Sequence, residues 1–97
     1  MFEVTKTAVF DKWLKALNDR KARARINIRI NRAELGNLGD HKSVGGEVYE
    51  MRITYGPGYR LYFIKEEERL ILLLCGGDKG SQTRDIALAK KMAAERR

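Results

Sequence analysis

The 97-residue chain has one cysteine, one histidine and one proline, and no long apolar run. With a single cysteine no disulfide can form within the chain. Cys75 closes the run Leu70-Ile71-Leu72-Leu73-Leu74 and reads as a small buried hydrophobe in a reducing compartment. With a single histidine and no second thiol, a zinc site has no support, and the expectation is no cofactor. Met1 to Thr7 lacks the apolar core of a signal peptide, and no apolar stretch approaches a membrane span, so a cytoplasmic protein without membrane contact is expected. Repeats, low-complexity tracts and dividing linkers are absent too, so residues 1–97 read as a single domain. Acids are also few: thirteen against twenty Lys and Arg, a net charge of +7 that points to polyanions or acidic partners.

What is present has clear periodicity. Phe2 to Thr5 alternates as a short strand. Thr7 can cap a helix carrying Val9, Phe10, Trp13, Leu14 and Leu17, and Asp19 can cap a second. "RINIRINR", Arg25 to Arg32, alternates like a strand, but Ala22, Ile26, Ile30 and Ala33 form a longer helical stripe that Gly36 ends. A helical hairpin is therefore predicted, packing through Phe10, Trp13, Leu14, Leu17 and Ile26. Gly36 to Gly46 reads as a loop. Glu47–Ile53, Tyr59–Lys65 and Leu70–Cys75 then read as a three-stranded meander, the last strand central because it is apolar on both faces. Gly76 to Gly80 reads as a loop without the spacing of a phosphate loop. A terminal helix starts at Ser81 or Thr83, with Ile86, Ala89 and Ala93 on one side and Lys90, Lys91, Arg96 and Arg97 exposed.

The first hairpin carries the chemistry. In "RITYGPGYR", Pro57 and Gly58 suit the second and third positions of a type II turn. A loop of Thr54 to Gly58 sets Ile53 opposite Tyr59 and therefore Arg52 opposite Arg60 and Glu50 opposite Tyr62. Tyr49, Met51, Ile53, Tyr59, Leu61 and Phe63 share an apolar face. Val48, Glu50, Arg52, Arg60, Tyr62 and Ile64 share the other. A solvated arginine pair balanced by Glu50 is the plain explanation, since facing like charges cost at most about 1 kcal/mol. An anion site is the sharper one: two guanidinium forks on one face can grip a phosphate, with Tyr62 beside them to stack on a base. Lys79 and Arg84 would stand at the end of the sheet, and Lys42 and His41 could approach from the preceding loop.

The element order, together with "VYEMRITYGPGYRLYF" and "LLLCGGDKGSQTRDIALAKKMA", resembles the RelE/ParE toxin superfamily, in particular its phage-derived addiction-module killer branch, described as HigB-like. The resemblance implies a RelE-like α+β fold: an N-terminal strand and helical hairpin packed on an antiparallel sheet with a three-stranded meander and a C-terminal helix. It also implies the toxin of a type II toxin–antitoxin pair, cleaving mRNA on the ribosome and neutralised by an antitoxin with a helix-turn-helix DNA-binding domain. On that likeness Arg60 and Arg52 bind phosphate, Lys79 supplies charge or acts as a base, and Arg84 makes a peripheral contact. Family members use a C-terminal tyrosine or histidine for proton transfer, and this chain has neither after Cys75. Glu50 is then an alternative base and His41 an acid. A ParE-like gyrase inhibitor that cuts nothing, and a nonenzymatic nucleic-acid-binding module, are the competing expectations.

Overall fold

The computed structural model describes residues 1–96, and the expected exposure of Arg97 lies outside them. Thr7 caps α1 (Ala8–Ala16), its side chain accepting from the Phe10 amide at 3.0 Å. Asp19 caps α2 (Arg20–Glu34) by accepting from the amides of Lys21 and Ala22. The α2 stripe Ala22, Ile26, Ile30 and Ala33 is buried, so helical period prevails over the local alternation of the three isoleucines. The helix stops as a Schellman motif: the Gly36 amide bonds to the Ala33 carbonyl and the Asn37 amide to that of Arg32.

The strands are β1 (Glu3–Lys6), β2 (His41–Gly45), β3 (Val48–Ile53), β4 (Tyr59–Glu66) and β5 (Leu70–Asp78), in one sheet of order β1-β5-β4-β3-β2. The β3–β4 register is the expected one, with Arg52 against Arg60 and Glu50 against Tyr62. α3 (Gln82–Glu95) follows a single 3₁₀ turn at Lys79–Ser81.

Five expectations need correction. The sheet is mixed, because β1 pairs with β5 in parallel. The segment expected as a loop before β3 contains β2, an exposed polar edge strand that shows little alternation. β5 continues through Gly76, Gly77 and Asp78. These glycines serve close packing: a Cβ on Gly76 would stand 2.3 Å from Trp13 Cζ3, and one on Gly77 1.8 Å from Asp85 Oδ2. The hydrogen-bonded turn of the hairpin is Tyr55 to Gly58, with Gly56 at φ +55° in the first central position and Pro57 in the second. Positive φ at the first central residue matches the twist of the flanking strands better than a type II turn.

The fifth correction concerns the charged face of the sheet, which is not open. The α1–α2 side buries Phe10, Leu14, Ile26, Met51, Leu61, Phe63, Ile71 and Leu73, with Trp13 and Leu17 partly buried against them. On the other side α3 lays Ala89 and Ala93 over Val48, Tyr62, Leu72, Leu74 and Cys75. The two alanines bring the helix close to the sheet. A fully buried side chain the size of Phe10 contributes about 1.5–3 kcal/mol, so neither layer can be left wet. What remains of the charged face is a partly exposed corner, or notch, beside the N-terminal end of α3, where Arg52, Arg60 and Gln82 keep some surface.

Candidate functional site

The notch is built by three elements. β3 contributes Glu50 and Arg52, β4 contributes Arg60 and Tyr62, and the start of α3 contributes Gln82 and Asp85. Glu50 is completely buried. Its Oε2 accepts from the Tyr62 hydroxyl at 3.0 Å and from Gln82 Nε2 at 2.7 Å, and lies 3.8 Å from Arg60 Nε. The Arg60 side chain is 13% exposed and has no hydrogen bond to any of the described residues. Arg52 is differently placed: its Nη2 donates to Asp40 Oδ1 at 2.9 Å near the surface.

Among the described residues, three buried side-chain atoms lack a hydrogen-bond partner: Glu50 Oε1, Arg52 Nε and Arg60 Nε. All three belong to this cluster. Buried polar atoms are rarely left unpaired, because each costs about 1–3 kcal/mol, so their concentration makes this cluster the candidate site. Arg60 Nη1 and Nη2 are outside that buried set and have no acceptor among the described residues. Two donors on one rigid plane are thus left for an outside acceptor, the geometry that holds a phosphate or carboxylate in bidentate fashion.

The electrostatics follow from these contacts. The hydrogen bond from Arg52 holds the Asp40 carboxyl below the usual carboxylate range, and Asp40 in turn raises the Arg52 guanidinium. Burial, with the Glu50 charge second, drives the Tyr62 hydroxyl far above its ordinary range, so it remains a donor to Glu50. Asp85, buried under Gly77, accepts from the Ser81 hydroxyl and lies 3.6 Å from Arg84 Nε. Burial, with Asp85 second, pushes the Cys75 thiol up to about 12. It is a packing residue of the α3 layer.

The structure brings together Arg60, Arg52, Glu50 and Tyr62, and separates some of the other candidates. Lys79 stands exposed beside the hairpin turn, where a Cβ on Gly58 would lie 3.6 Å from its own Cβ. Arg84 is 82% exposed at the rim, and Lys42 is exposed directly across from Glu50 on β2. Three placements do not suit the role expected of them. Tyr62 is fully buried with its hydroxyl on Glu50, so it has no ring face to offer a base. His41 pairs with Met51 and so points to the α1–α2 side of the sheet, with its ring near Tyr49 and Phe63 at 6.3 and 6.4 Å. Cross-strand partners share a face, which puts the sheet between His41 and Arg60. Glu50, with no exposed surface, meets the site as the anchor of Arg60 and Gln82 rather than as a group open to substrate.

Gln82 and Asp85 are the members that sequence reading missed. Both lie in the segment "QTRDI", yet nothing local marks a glutamine or an aspartate on an amphipathic helix as turned toward a sheet. The adjacent glycines Gly76 and Gly77 were the available signal, since glycine inside a strand marks close approach by another group. Among the described residues no cluster of ligating side chains could hold a metal ion, and no helix is long and apolar enough to cross a membrane.

Comparison with known proteins places this architecture. The chain is 46% identical over 93 residues to an uncharacterized protein of Haemophilus influenzae, an alignment covering 96% of this chain and 94% of that protein. Residues 12–97 match the family described as Phage derived protein Gp49-like (DUF891), a span that includes every element from most of α1 to α3 and the whole notch. This chain therefore belongs to the Gp49-like family of phage-derived proteins.

Proposed function

We propose that the protein is the toxin of a type II toxin–antitoxin pair, an endoribonuclease of RelE-like, HigB-related type that cuts mRNA on the ribosome and so halts translation. Membership of the Gp49-like family is compatible with such a toxin. The observation that carries the reading is Arg60: a largely buried guanidinium with unpartnered terminal nitrogens, facing a second arginine across the strand pair. The distribution of charge supports it. Glu47, Glu66, Glu67 and Glu68 cluster at the opposite end of the strands, and Glu3 lies there too, across from Leu70. Near the notch the carboxylates are engaged: Asp40 with Arg52, Asp78 with the amides of Gly80 and Ser81, Asp85 with Ser81, and Glu50 internally. Around the notch a polyanion thus meets cations whose neighbouring carboxylates are already engaged.

In the proposed reaction a ribose 2′-hydroxyl attacks the adjacent phosphorus and the 5′-oxygen leaves. Arg60 and Arg52 bind the phosphate and stabilise its growing charge, Lys79 and Arg84 hold the flanking backbone at the rim, and Lys42 adds charge on the β2 side. Lys79, exposed at the rim, takes the proton of the attacking 2′-hydroxyl, and water protonates the leaving 5′-oxygen. The proposed partners are mRNA, the ribosome and an antitoxin carrying a helix-turn-helix domain. The test is Arg60→Ala expressed at the wild-type level, with transcript ends mapped after induction. Loss of growth inhibition and of new ends supports the reading, and retained cleavage refutes it.

One observation favours a second reading: the chain has no tyrosine or histidine after Cys75. A gyrase-binding inhibitor needs no proton shuttle. Induced cells would then show DNA damage before translation stops, whereas a nuclease gives the reverse order.

A further inference from the structure

We propose that Gln82 faces the substrate, its side-chain oxygen accepting a hydrogen bond from a ribose 2′-hydroxyl beside the phosphate held by Arg60. This rests on the phosphate role assigned to Arg60 above and adds to it a means of telling RNA from DNA.

Chemistry fixes the orientation of the amide. Glu50 Oε2 can only accept, so the Gln82 group 2.7 Å from it must be the NH₂ end. The carbonyl oxygen then occupies the other branch of the amide. It accepts from none of the described residues and is not among the buried unpaired atoms. Gln82 itself is half-buried at the first position of α3, at the mouth of the notch. The same Oε2 atom lies 3.8 Å from Arg60 Nε and is pinned from another side by the Tyr62 hydroxyl. One buried oxygen therefore fixes the guanidinium and the amide as neighbours.

An acceptor in this position is of no use to a phosphate, which offers only acceptors of its own. It suits a donor next to that phosphate. In a nucleic-acid backbone the one donor is the 2′-hydroxyl, which DNA lacks. The cations around the notch attract either polymer alike, so discrimination has to come from a group such as this one.

The experiment compares single-stranded RNA and DNA oligonucleotides of one sequence by fluorescence anisotropy, with RNA length checked on a denaturing gel and a melting temperature taken for each variant. The wild-type protein prefers RNA. Gln82→Leu lowers the RNA-to-DNA affinity ratio about fivefold, the size of one hydrogen bond, and leaves DNA affinity unchanged. Glu50→Gln lowers the ratio as well, because a facing amide lets Gln82 turn over, and Arg60→Ala weakens both polymers equally. If Gln82→Leu does not fold, Gln82→Met keeps the length of the side chain and takes its place. A ratio that survives loss of the Gln82 amide while Arg60→Ala still weakens binding overturns this inference alone. Binding that ignores Arg60→Ala, or no binding at all, removes the phosphate reading and this one with it.

Discussion

Arg52 and Arg60 face each other across β3 and β4, yet among the described residues only Arg52 has a carboxylate at hydrogen-bond distance, Asp40 at 2.9 Å. The carboxylate of Arg60 is Glu50, 3.8 Å away and already engaged by Tyr62 and Gln82. Two like residues in mirrored register thus have unlike tasks: one ties down the segment before β2, and the other keeps its terminal donors unassigned.

Glu50 should matter more to stability than Arg60. Removing its side chain strands the Tyr62 hydroxyl, the Gln82 amide and a largely buried guanidinium together, whereas removing Arg60 leaves Glu50 with two donors. Urea unfolding should show Glu50→Ala costing about 3 kcal/mol and Arg60→Ala less than half as much. Equal costs would mean that Glu50 is not the hub.

Asp40 should titrate below its ordinary value of 3.8. Its folded pKa is depressed, so the stability it contributes is complete above that ordinary value and is lost as pH falls through the lowered one. Carbon-detected NMR should place the midpoint below 3.8 in the wild-type protein and return it toward 3.8 in Arg52→Ala. A midpoint unmoved by that substitution would break the assigned pair.

Gly76 should not tolerate a methyl group. Its Cβ would sit within the Trp13 ring, 2.3 Å from Cζ3, where neither the strand nor the helix can yield cheaply. Gly76→Ala is expected to cost about 1–3 kcal/mol and to shift the emission of Trp13, the sole tryptophan. Unchanged emission and melting temperature would contradict the packing of α1 on β5.

Arg29 should act as a structural clamp. From α2 it donates to the carbonyls of Arg52, Leu38 and Asp40, holding the approach to β2 against the end of β3. Arg29→Ala should destabilise by about 1–3 kcal/mol and speed amide exchange in β2 before the rest of the sheet. Uniform exchange across the strands would count against that role.

Cys75 should be unreactive in the native protein. A thiol pushed up to about 12 and buried under α3 has almost no thiolate at neutral pH. A disulfide reagent such as DTNB should titrate no thiol until denaturant is added.

Much of the fold was legible because its signals are short-range. The stripe at Ala22, Ile26, Ile30 and Ala33 repeats with the helical period, Thr7 and Asp19 announce their helices, and the alternation about Gly56-Pro57-Gly58 fixes the register of Arg52 and Arg60. The position of the turn within the loop was less so, since glycines on both sides of Pro57 allow either placement. β2 escaped notice because an exposed edge strand has no buried face to impose a pattern.

By itself, then, the sequence determined the three helices, four of the five strands, the interior position of β5 and the pair of arginines, since each shows in residues a few places apart. Only the tertiary structure decided that α3 covers the charged face, that His41 lies behind the sheet, and that Gln82 meets Glu50 from 32 residues away. A buried polar group is satisfied by whichever side chain the folded chain brings to it, and no local period records that choice.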